Sequence, residues 1–345
     1  MNRIRTEDCE MVGKCVFIDW KELENATILV TGSTGLIGSN LVNAIAYNSK
    51  KKNLNIRMIL PVRNTDKARE LFGWTDAEII HYSLGDELIS EEKIDYIVHL
   101  ASPTSSAFFK DRPAETILNN IDGIRALLEY ARLHPVKKLV YISTMEVYGY
   151  PEKGHSVTER EIGAFDPMSA RNSYPIAKIA GEALCHGYYT QYDVPAVILR
   201  ATQTFGPGVD INDGRVFAQF MRCATEGKNI VLKSPGLTER PYLYTADAAS
   251  AILASLTRAE DGNSYTIANP ATYISIKDMA EMVSERIADG RILVEYDLSE
   301  DLEKLGYANT LYMDLDISKF SDATGWQPSA GLAEMFRRMI EGVSE

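Results

Sequence analysis

The segment 30–40, VTGSTGLIGSN, constrains the fold of this chain more than any other stretch. Its glycines, Gly32, Gly35 and Gly38, are spaced three apart, after the aliphatic run ATILV and before the helical pattern LVNAIAY. At a strand-to-helix turn, one glycine permits the tight turn, another lets the backbone approach a pyrophosphate, and the third lets the helix pack on the strand. Backbone N–H groups at the helix start then face the phosphates. The segment therefore predicts a dinucleotide-binding loop rather than a plain turn.

Short aliphatic runs alternate with helical patterns over the first 200 residues. The runs are continuous, which indicates strands buried on both faces, as in a parallel sheet between two helix layers. We therefore predict an α/β fold, a Rossmann-type doubly wound parallel sheet. The predicted strands are 26–31, 56–62, 78–81, 96–100, 139–143 and 196–200. The predicted helices between them are 36–48, 65–71, 114–133 and 174–192.

Turn residues become frequent after about residue 200, as in FGPGVDINDG and KSPGLTERP. We expect a smaller substrate-binding lobe over 201–345, with some segments returning to an NAD(P)-binding domain at 26–200. Residues 1–25 mix acids and bases, which predicts an N-terminal extension that lies on the core or is partly mobile. The predicted helices of the C-terminal part are 215–226, 246–256, 275–286 and 332–340.

The net charge of −12 argues against nucleic acid or an anionic membrane as the main partner, because both require a basic face. No apolar run approaches the ~18 residues of a membrane span, and no apolar stretch typical of a secretory signal occurs near the N-terminus. The four cysteines form no C-x-x-C pair, and no histidine cluster completes a zinc set. We expect reduced thiols, no metal and a cytoplasmic protein.

Tyr174 and Lys178, in SYPIAKIAGE, form a Y-x-x-x-K pair. Their spacing places both side chains on one face of a helix. An ammonium near a phenol favours the phenolate, so we expect Lys178 to lower the Tyr174 pKa from ~10 towards neutrality. The phenol could then exchange a proton with a hydroxyl group while hydride moves to or from a nicotinamide.

The G-x-x-G-x-x-G loop, the Y-x-x-x-K pair and the segment LVYISTMEVYG together resemble the extended branch of the short-chain dehydrogenase/reductase superfamily, which includes nucleotide-sugar epimerases and dehydratases. The resemblance implies that Thr144 is the catalytic hydroxyl residue, with Ser143 as the alternative. It also implies a catalytic role for Glu146. Asn120, in NNIDG, matches a helix position that supports the lysine through water, and its alternative is an ordinary polar residue inside a helix.

The same resemblance implies a bound NAD or NADP. Arg63 ends the second strand, where an acidic residue would bind the ribose 2′-hydroxyl of NAD, and an arginine there favours the 2′-phosphate of NADP. The alternative is that Arg63 is an ordinary solvated side chain. Many members of the superfamily hold NAD, so the sequence does not decide between NAD and NADP. Asp86, in SLGDEL, matches an acidic residue near the adenine. The other implied cofactor contacts are Gly32, Thr34, Gly35, Leu36, Ile37, Gly38, Leu100, Ala101, Ser102 and Lys178.

Two C-terminal segments imply a nucleoside-diphosphate sugar substrate. TFGPGVDINDGRVFAQFM resembles a segment of UDP-glucuronate decarboxylases, and ERPYLYTADAASAI resembles the R-x-x-x-Y segment of nucleotide-sugar enzymes. Carried over, Arg240 would contact the diphosphate or sugar and Arg215 the nucleotide, with ordinary surface arginines as the alternative. Gln203 replaces the usual asparagine, and Thr104 is a further implied substrate contact.

The residue after Thr144 helps to choose the reaction that follows oxidation to a 4-keto sugar. Dehydratases of this superfamily carry an Asp–Glu pair there, whereas this chain has Met145 and Glu146. A thioether has no proton to donate, which disfavours 4,6-dehydration. Decarboxylation and epimerisation therefore remain equally open, with a 4,6-dehydratase or an NADPH-dependent carbonyl reductase as alternatives. A non-catalytic nucleotide-binding protein is disfavoured, because binding alone does not require the complete set of hydroxyl, phenol and lysine.

The helices predicted at 114–133 and 174–192 carry an apolar outer stripe that includes Leu118, Ile121 and Ala180. The resemblance implies that these helices pair with their copies in a homodimer. Core packing within one subunit explains the stripe equally well.

Overall fold

The computed structural model describes residues 1–88, 93–103, 106–299 and 310–344. The strands in chain order are β1 Thr27–Thr31, β2 Arg57–Val62, β3 Glu78–His81, β4 Tyr96–His99, β5 Lys138–Thr144, β6 Ser156–Val157, β7 Ala196–Ala201, β8 Gln203–Phe205, β9 Ile230–Leu232, β10 Glu239–Tyr244, β11 Ser264–Ile267, β12 Asn269–Ser275, β13 Val294–Tyr296 and β14 Asp314–Leu315. The α-helices are α1 Arg3–Gly13, α2 Leu36–Lys52, α3 Thr65–Phe72, α4 Ser106–Asp111, α5 Pro113–Leu133, α6 Ser173–Tyr192, α7 Val216–Glu226, α8 Thr245–Arg258, α9 Ile276–Met282, α10 Ser318–Thr324 and α11 Leu332–Ser344.

A seven-stranded sheet in the order β11-β7-β5-β4-β1-β2-β3 forms the centre of the molecule. All of its neighbouring strands are parallel. The strand order reverses between β1 and β4, because the chain runs outward from β1 to β3 and then returns to the other side of β1. Ligands of such sheets bind at this reversal, outside the carboxyl ends of the strands. The predicted doubly wound parallel sheet is confirmed.

Both faces of the central sheet are covered by helices. Ile28 and Val30 of β1 belong to one hydrophobic core, together with Leu41 of α2. The residue between them, Leu29, belongs to a second core on the opposite face, together with Ile124 of α5. Successive side chains of a strand point to opposite faces, so a strand covered on both sides reads as a continuous apolar run.

The predicted strands and helices are confirmed, with differences at their ends. Helix α2 continues beyond the predicted 36–48 and stops where Asn53 adopts a left-handed φ of 55°. The predicted helix 275–286 divides into α9 and a π-helical turn, Val283–Ile287. Short 3₁₀ turns at Met145–Tyr148 and Ala170–Asn172 follow β5 and precede α6.

The N-terminal extension contains a helix, α1, that the sequence did not predict. It packs against α2, α8 and α11 and buries Ile4 and Val12. The buried carboxylate of Asp8 lies 2.7 Å from the Arg338 guanidinium and accepts a hydrogen bond from the Tyr244 hydroxyl at 2.9 Å. The extension therefore lies on the core, the first of the two expectations. The sequence pattern of α1 was missed because a buried polar residue, Asp8, lies on the helix face that packs against the core.

Segments beyond residue 200 contribute to more than one layer. Strand β11 joins the edge of the central sheet beside β7, and α8 packs on α2. Strands β8, β10 and β12 form a separate three-stranded sheet in which β10 is parallel to β8 and antiparallel to β12. Because β7 leads almost directly into β8, the small sheet begins at the carboxyl end of the central sheet.

Helices α5 and α6 pack against each other on the face of the sheet that carries the second core. Leu118 of α5 is 57% exposed, so part of the predicted apolar stripe faces outward. The homodimer stays a prediction. Within the described ranges, no helix has the length and apolar content to cross a membrane.

Candidate active site

The glycine loop between β1 and α2 has no room for side chains at two of its positions. Gly32 adopts a φ of +70°, and a Cβ there would lie 2.6 Å from the backbone nitrogen of Ala101. A Cβ at Gly38 would lie 2.2 Å from the carbonyl oxygen of Gly32. Both distances are far below van der Waals contact. The loop therefore folds closely over itself and against the segment that follows β4, which only glycine permits.

The start of α2 leaves donors for an anion. Gly35 is the N-cap residue and supplies no side chain to the first amides of the helix. The N–H groups of Leu36 and Ile37 therefore have no acceptor within the helix, and the dipole of the 17-residue helix favours negative charge there. Together with the turn that carries Thr34, this close backbone cradle fits the pyrophosphate of NAD or NADP.

The remaining predicted cofactor residues lie at the same edge of the sheet. The Leu100 amide donates to the Thr31 carbonyl at 3.2 Å, which places 100–102, including Ser102, beside the glycine loop. Arg63 is exposed at the carboxyl end of β2. Asp86 is exposed in the turn after β3, where its carboxylate accepts the Ser83 amide at 2.9 Å. This placement suits an adenosine site, and the roles of the individual residues stay predictions.

The predicted catalytic residues converge at the carboxyl end of β5. Thr144 is the last residue of β5, and its side chain is a hydrogen-bonding partner of Tyr174. Lys178 lies one turn further along α6, with its Nζ 5.9 Å from the centre of the Tyr174 ring. Ser143, the alternative hydroxyl, instead donates to the Glu182 carboxylate at 2.5 Å. The geometry thus favours Thr144 over Ser143 as the hydroxyl that meets a substrate.

The expected lowering of the Tyr174 pKa is contradicted. Burial, reinforced by the Glu146 carboxylate, raises the pKa of Tyr174 above its ordinary value. The hydrogen bond with Thr144 acts in the opposite direction but does not outweigh burial. The Lys178 Nζ donates its hydrogen bond to the Ile142 carbonyl at 2.9 Å. The i, i+4 spacing correctly predicted that Tyr174 and Lys178 lie on one face of the helix, but it carried no information about the burial of the phenol.

Lys178 itself has a perturbed pKa. Burial lowers it to about 7, and the Glu182 carboxylate partly opposes this shift. An unfolded lysine has a pKa of ~10.4, so the unfolded chain binds more protons than the folded chain between about pH 7 and pH 10. The contribution of Lys178 to the free energy of unfolding therefore rises with pH over that interval.

We expect Lys178→Met to show this linkage directly. The variant no longer buries a charge, so its stability relative to the wild type should be greatest near pH 7 and should shrink by up to about 1.4 kcal/mol per pH unit towards pH 10. Urea denaturation of both proteins across this range measures the difference. The exposed Lys21, replaced by Met, controls for loss of a surface charge. A difference that is constant with pH would contradict a lowered Lys178 pKa.

Glu146 and Arg171 form an ion pair near Tyr174. The Arg171 Nη2 donates to Glu146 Oε2 at 2.8 Å, and both side chains are about one-third exposed, at 31% and 32%. The Arg171 guanidinium also lies 5.5 Å from the centre of the Phe109 ring, which stacks on Tyr174 at 4.3 Å. Sequence reasoning did not identify Arg171 or Phe109. The only available signal for Arg171 was its position three residues before Tyr174.

Asn120 is buried on α5 and links that helix to the segment after β4. Its Nδ2 donates to the Thr116 carbonyl at 2.8 Å, and its Oδ1 accepts from the Ser102 hydroxyl at 2.9 Å. The predicted support of Lys178 through water stays a prediction.

A buried ion pair between Arg200 and Glu182 lies next to the end of β5 that carries Thr144. The Arg200 guanidinium contacts the Glu182 carboxylate at 2.7 Å, and both side chains are less than 10% exposed. Glu182 also accepts the Ser143 hydroxyl, and Arg200 Nη1 donates to the Glu159 carbonyl at 3.0 Å. The pair therefore ties β5, α6 and β7 together at the end of the sheet. Sequence reasoning missed it, although Glu182 follows Lys178 by four residues.

The predicted substrate residues lie on the small sheet and its neighbouring loop. Gln203 on β8 and Arg240 on β10 each carry a buried polar atom, Oε1 and Nε, without a hydrogen-bond partner among the described residues. Arg215 is held by Asp213, with Nε 3.0 Å from the carboxylate, and lies over the Phe217 ring. Burial raises the pKa of Tyr174, and the charge of Arg215 partly opposes that shift. Thr104 lies outside the described residues.

Comparison with known proteins agrees with this geometry. The family model described as the NAD dependent epimerase/dehydratase family matches residues 28–269. UDP-glucuronic acid decarboxylase 6 of Arabidopsis thaliana is 30% identical over 317 residues, which cover 92% of this chain and 88% of that protein. UDP-glucuronic acid decarboxylase 1 of Xenopus tropicalis is 27% identical, covering 92% of this chain and 72% of that protein.

Solved structures share the architecture. The UDP-glucuronic acid 4-epimerase of Bacillus cereus in complex with NAD aligns with a TM-score of 0.74 at 25% identity, covering 92% of this chain and 98% of that chain. The UDP-glucose 4-epimerase of Thermotoga maritima aligns with a TM-score of 0.78 at 24% identity over 92% of this chain and 98% of that chain, a likeness of fold alone.

Proposed function

Because the chain belongs to the NAD dependent epimerase/dehydratase family, we propose that it is a nucleotide-sugar decarboxylase that oxidises the sugar of UDP-glucuronate at C4 and then releases its C6 carboxylate as carbon dioxide. The substrate follows from the curated relatives, which are UDP-glucuronic acid decarboxylases that align over more than nine-tenths of this chain. The observation that carries the redox chemistry is the convergence of Thr144, Tyr174 and Lys178 at the end of β5, at the same edge of the central sheet as the glycine loop.

Different residues of this chain have different roles in the first step, the oxidation at C4. The glycine loop and the start of α2 would hold NAD or NADP, which would supply the acceptor and donor of hydride when bound. Tyr174 takes the proton of the C4 hydroxyl and later returns it, while the Thr144 hydroxyl hydrogen-bonds the same oxygen. In its protonated form, Lys178, whose Nζ lies 5.9 Å from the centre of the Tyr174 ring, favours the phenolate against the effect of burial. Asn120, Gln203, Arg215 and Arg240 are proposed to orient the lysine and the nucleotide sugar.

Loss of carbon dioxide from the 4-keto intermediate needs no acid. The C5–C6 bond breaks, its electron pair moves into the enolate formed with the C4 ketone, and carbon dioxide leaves. The enolate takes up a proton from water at C5, and Tyr174 gives its proton back to the C4 oxygen as the hydroxyl re-forms; the hydride for this reduction would come from the bound cofactor. Met145 lies where the related dehydratases carry an acid, and its thioether cannot protonate a leaving hydroxyl. This supports decarboxylation over 4,6-dehydration.

The test is incubation of the purified protein with UDP-glucuronate, UDP-glucose and dTDP-glucose, followed by mass spectrometry of the nucleotide sugars. We expect UDP-glucuronate to lose the mass of carbon dioxide and the neutral sugars to remain unchanged. Loss of water from a neutral sugar would contradict the proposal, as would conversion of no substrate by protein that contains its cofactor.

A second candidate is 4-epimerisation of a UDP-uronate. The 25% identity to the Bacillus cereus UDP-glucuronic acid 4-epimerase favours it, since that enzyme also acts on an acidic sugar. The same incubation separates the two candidates. An epimerase would convert UDP-glucuronate without changing its mass, and chromatography or NMR would then show a new sugar.

A further inference from the structure

Arg171 is held in a fixed place beside Tyr174 by stacking. Its guanidinium lies 5.5 Å from the centre of the Phe109 ring, and that ring stacks on the Tyr174 ring at 4.3 Å with an interplanar angle of 5°. Phe109 is fully buried, so the stack cannot shift sideways without opening the core. A guanidinium over an aromatic ring is also attracted to the ring face. The positive charge thus stands at a set distance from the phenol that meets the substrate.

The guanidinium of Arg171 has capacity for a second carboxylate. It donates one hydrogen bond, from Nη2 to Glu146, and its other N–H groups have no hydrogen-bond partner in the described part of the chain. An arginine carries five N–H donors in a fork that matches a carboxylate. The side chain is 31% exposed, so it is accessible to a ligand.

The position of Arg171 matches the group next to the reacting carbon. Arg171 is hydrogen-bonded to Glu146 at 2.8 Å, and the Phe109 ring that Arg171 contacts also stacks on Tyr174, so both charges lie near the phenol. When the C4 oxygen of the substrate contacts Tyr174 and Thr144, the C6 carboxylate also lies near the phenol, because C6 is attached to C5, the carbon next to C4. Met145, on the same turn as Glu146, is buried and offers no charge to this group.

We propose that Arg171 binds the C6 carboxylate of the substrate and so selects acidic nucleotide sugars over neutral ones; this inference rests on the proposed function. Glu146 shares the same guanidinium, and its like charge keeps the hold on the substrate carboxylate incomplete. That balance suits a carboxylate that must leave, because a fully paired carboxylate is stabilised in the ground state and departs more slowly. Arg171 is therefore a specificity residue, and Glu146 moderates the strength of its contact.

The test compares binding of an acidic and a neutral ligand, so it does not depend on turnover. Calorimetry with UDP-glucuronate and UDP-glucose is carried out on the wild type, Arg171→Gln and Arg171→Lys. Loss of a charged hydrogen-bonding contact of about 1.5–3 kcal/mol corresponds to a roughly 10- to 150-fold weaker affinity for UDP-glucuronate in Arg171→Gln. The affinity for UDP-glucose should change by less than about twofold, and Arg171→Lys should lie between, because a lysine keeps the charge without the fork.

Arg337→Gln is the matched control, since Arg337 forms an exposed ion pair with Glu334 on α11. It should alter neither affinity. Equal weakening of both ligands in Arg171→Gln, or equal affinity of the wild type for both, would overturn the assignment of Arg171. A wild type that binds UDP-glucuronate selectively through Arg171 but neither decarboxylates nor epimerises it would instead defeat the proposed function and leave this inference standing.

Discussion

Tyr174→Phe is expected to lower turnover of UDP-glucuronate by about 10²–10⁴-fold, the range typical for removal of a general acid–base group. The substitution deletes only the hydroxyl that pairs with Thr144, while the ring keeps its stacking on Phe109. Cofactor content should stay near that of the wild type, because the glycine loop and α2 are untouched. Mass spectrometry of the product measures the rate, and absorbance and fluorescence of the purified protein measure the bound cofactor.

The matched control is Tyr130→Phe, which removes the hydroxyl of another mostly buried tyrosine, on α5. This variant should retain turnover. Near-normal activity of Tyr174→Phe would remove the phenol from the mechanism. Loss of both activity and cofactor would show instead that the hydroxyl is needed to build the site.

Arg200→Met is expected to destabilise the protein by about 3–5 kcal/mol, the range measured when one partner of a buried ion pair is removed. Arg200 and Glu182 are each less than 10% exposed, so the change leaves a carboxylate buried without its counter-charge. The Ser143 hydroxyl alone cannot replace the guanidinium. The free energy of unfolding is obtained from urea denaturation followed by circular dichroism.

Two further variants locate the origin of this loss. The double variant Arg200→Met with Glu182→Leu should be more stable than Arg200→Met alone, because it removes the uncompensated charge. Arg337→Met, which breaks the exposed pair with Glu334, should cost less than about 1 kcal/mol. A loss below about 1 kcal/mol in Arg200→Met would show that Glu182 finds another partner or accepts a proton at little cost.

Several features of the fold and site were accessible from local residue order. The continuous apolar runs were sufficient to predict the parallel sheet, because a strand that is buried on both faces carries apolar residues at successive positions. The glycine spacing was sufficient for the loop before α2, where Gly32 and Gly38 admit no side chain. The i, i+4 spacing placed Tyr174 and Lys178 on one face of α6. Each of these inferences depends on residues that are neighbours in the chain.

The contacts between distant segments were decided by tertiary packing. Helix α4 supplies the Phe109 ring beneath Tyr174, the turn after β5 supplies Glu146 to Arg171, and β7 supplies Arg200 to Glu182. Burial in that assembly raised the pKa of Tyr174, where spacing alone had predicted a lower value. A pKa depends on the water and charges that surround a group in three dimensions. Residue order records which groups follow one another, whereas only the packed chain determines which groups face one another and lose their water.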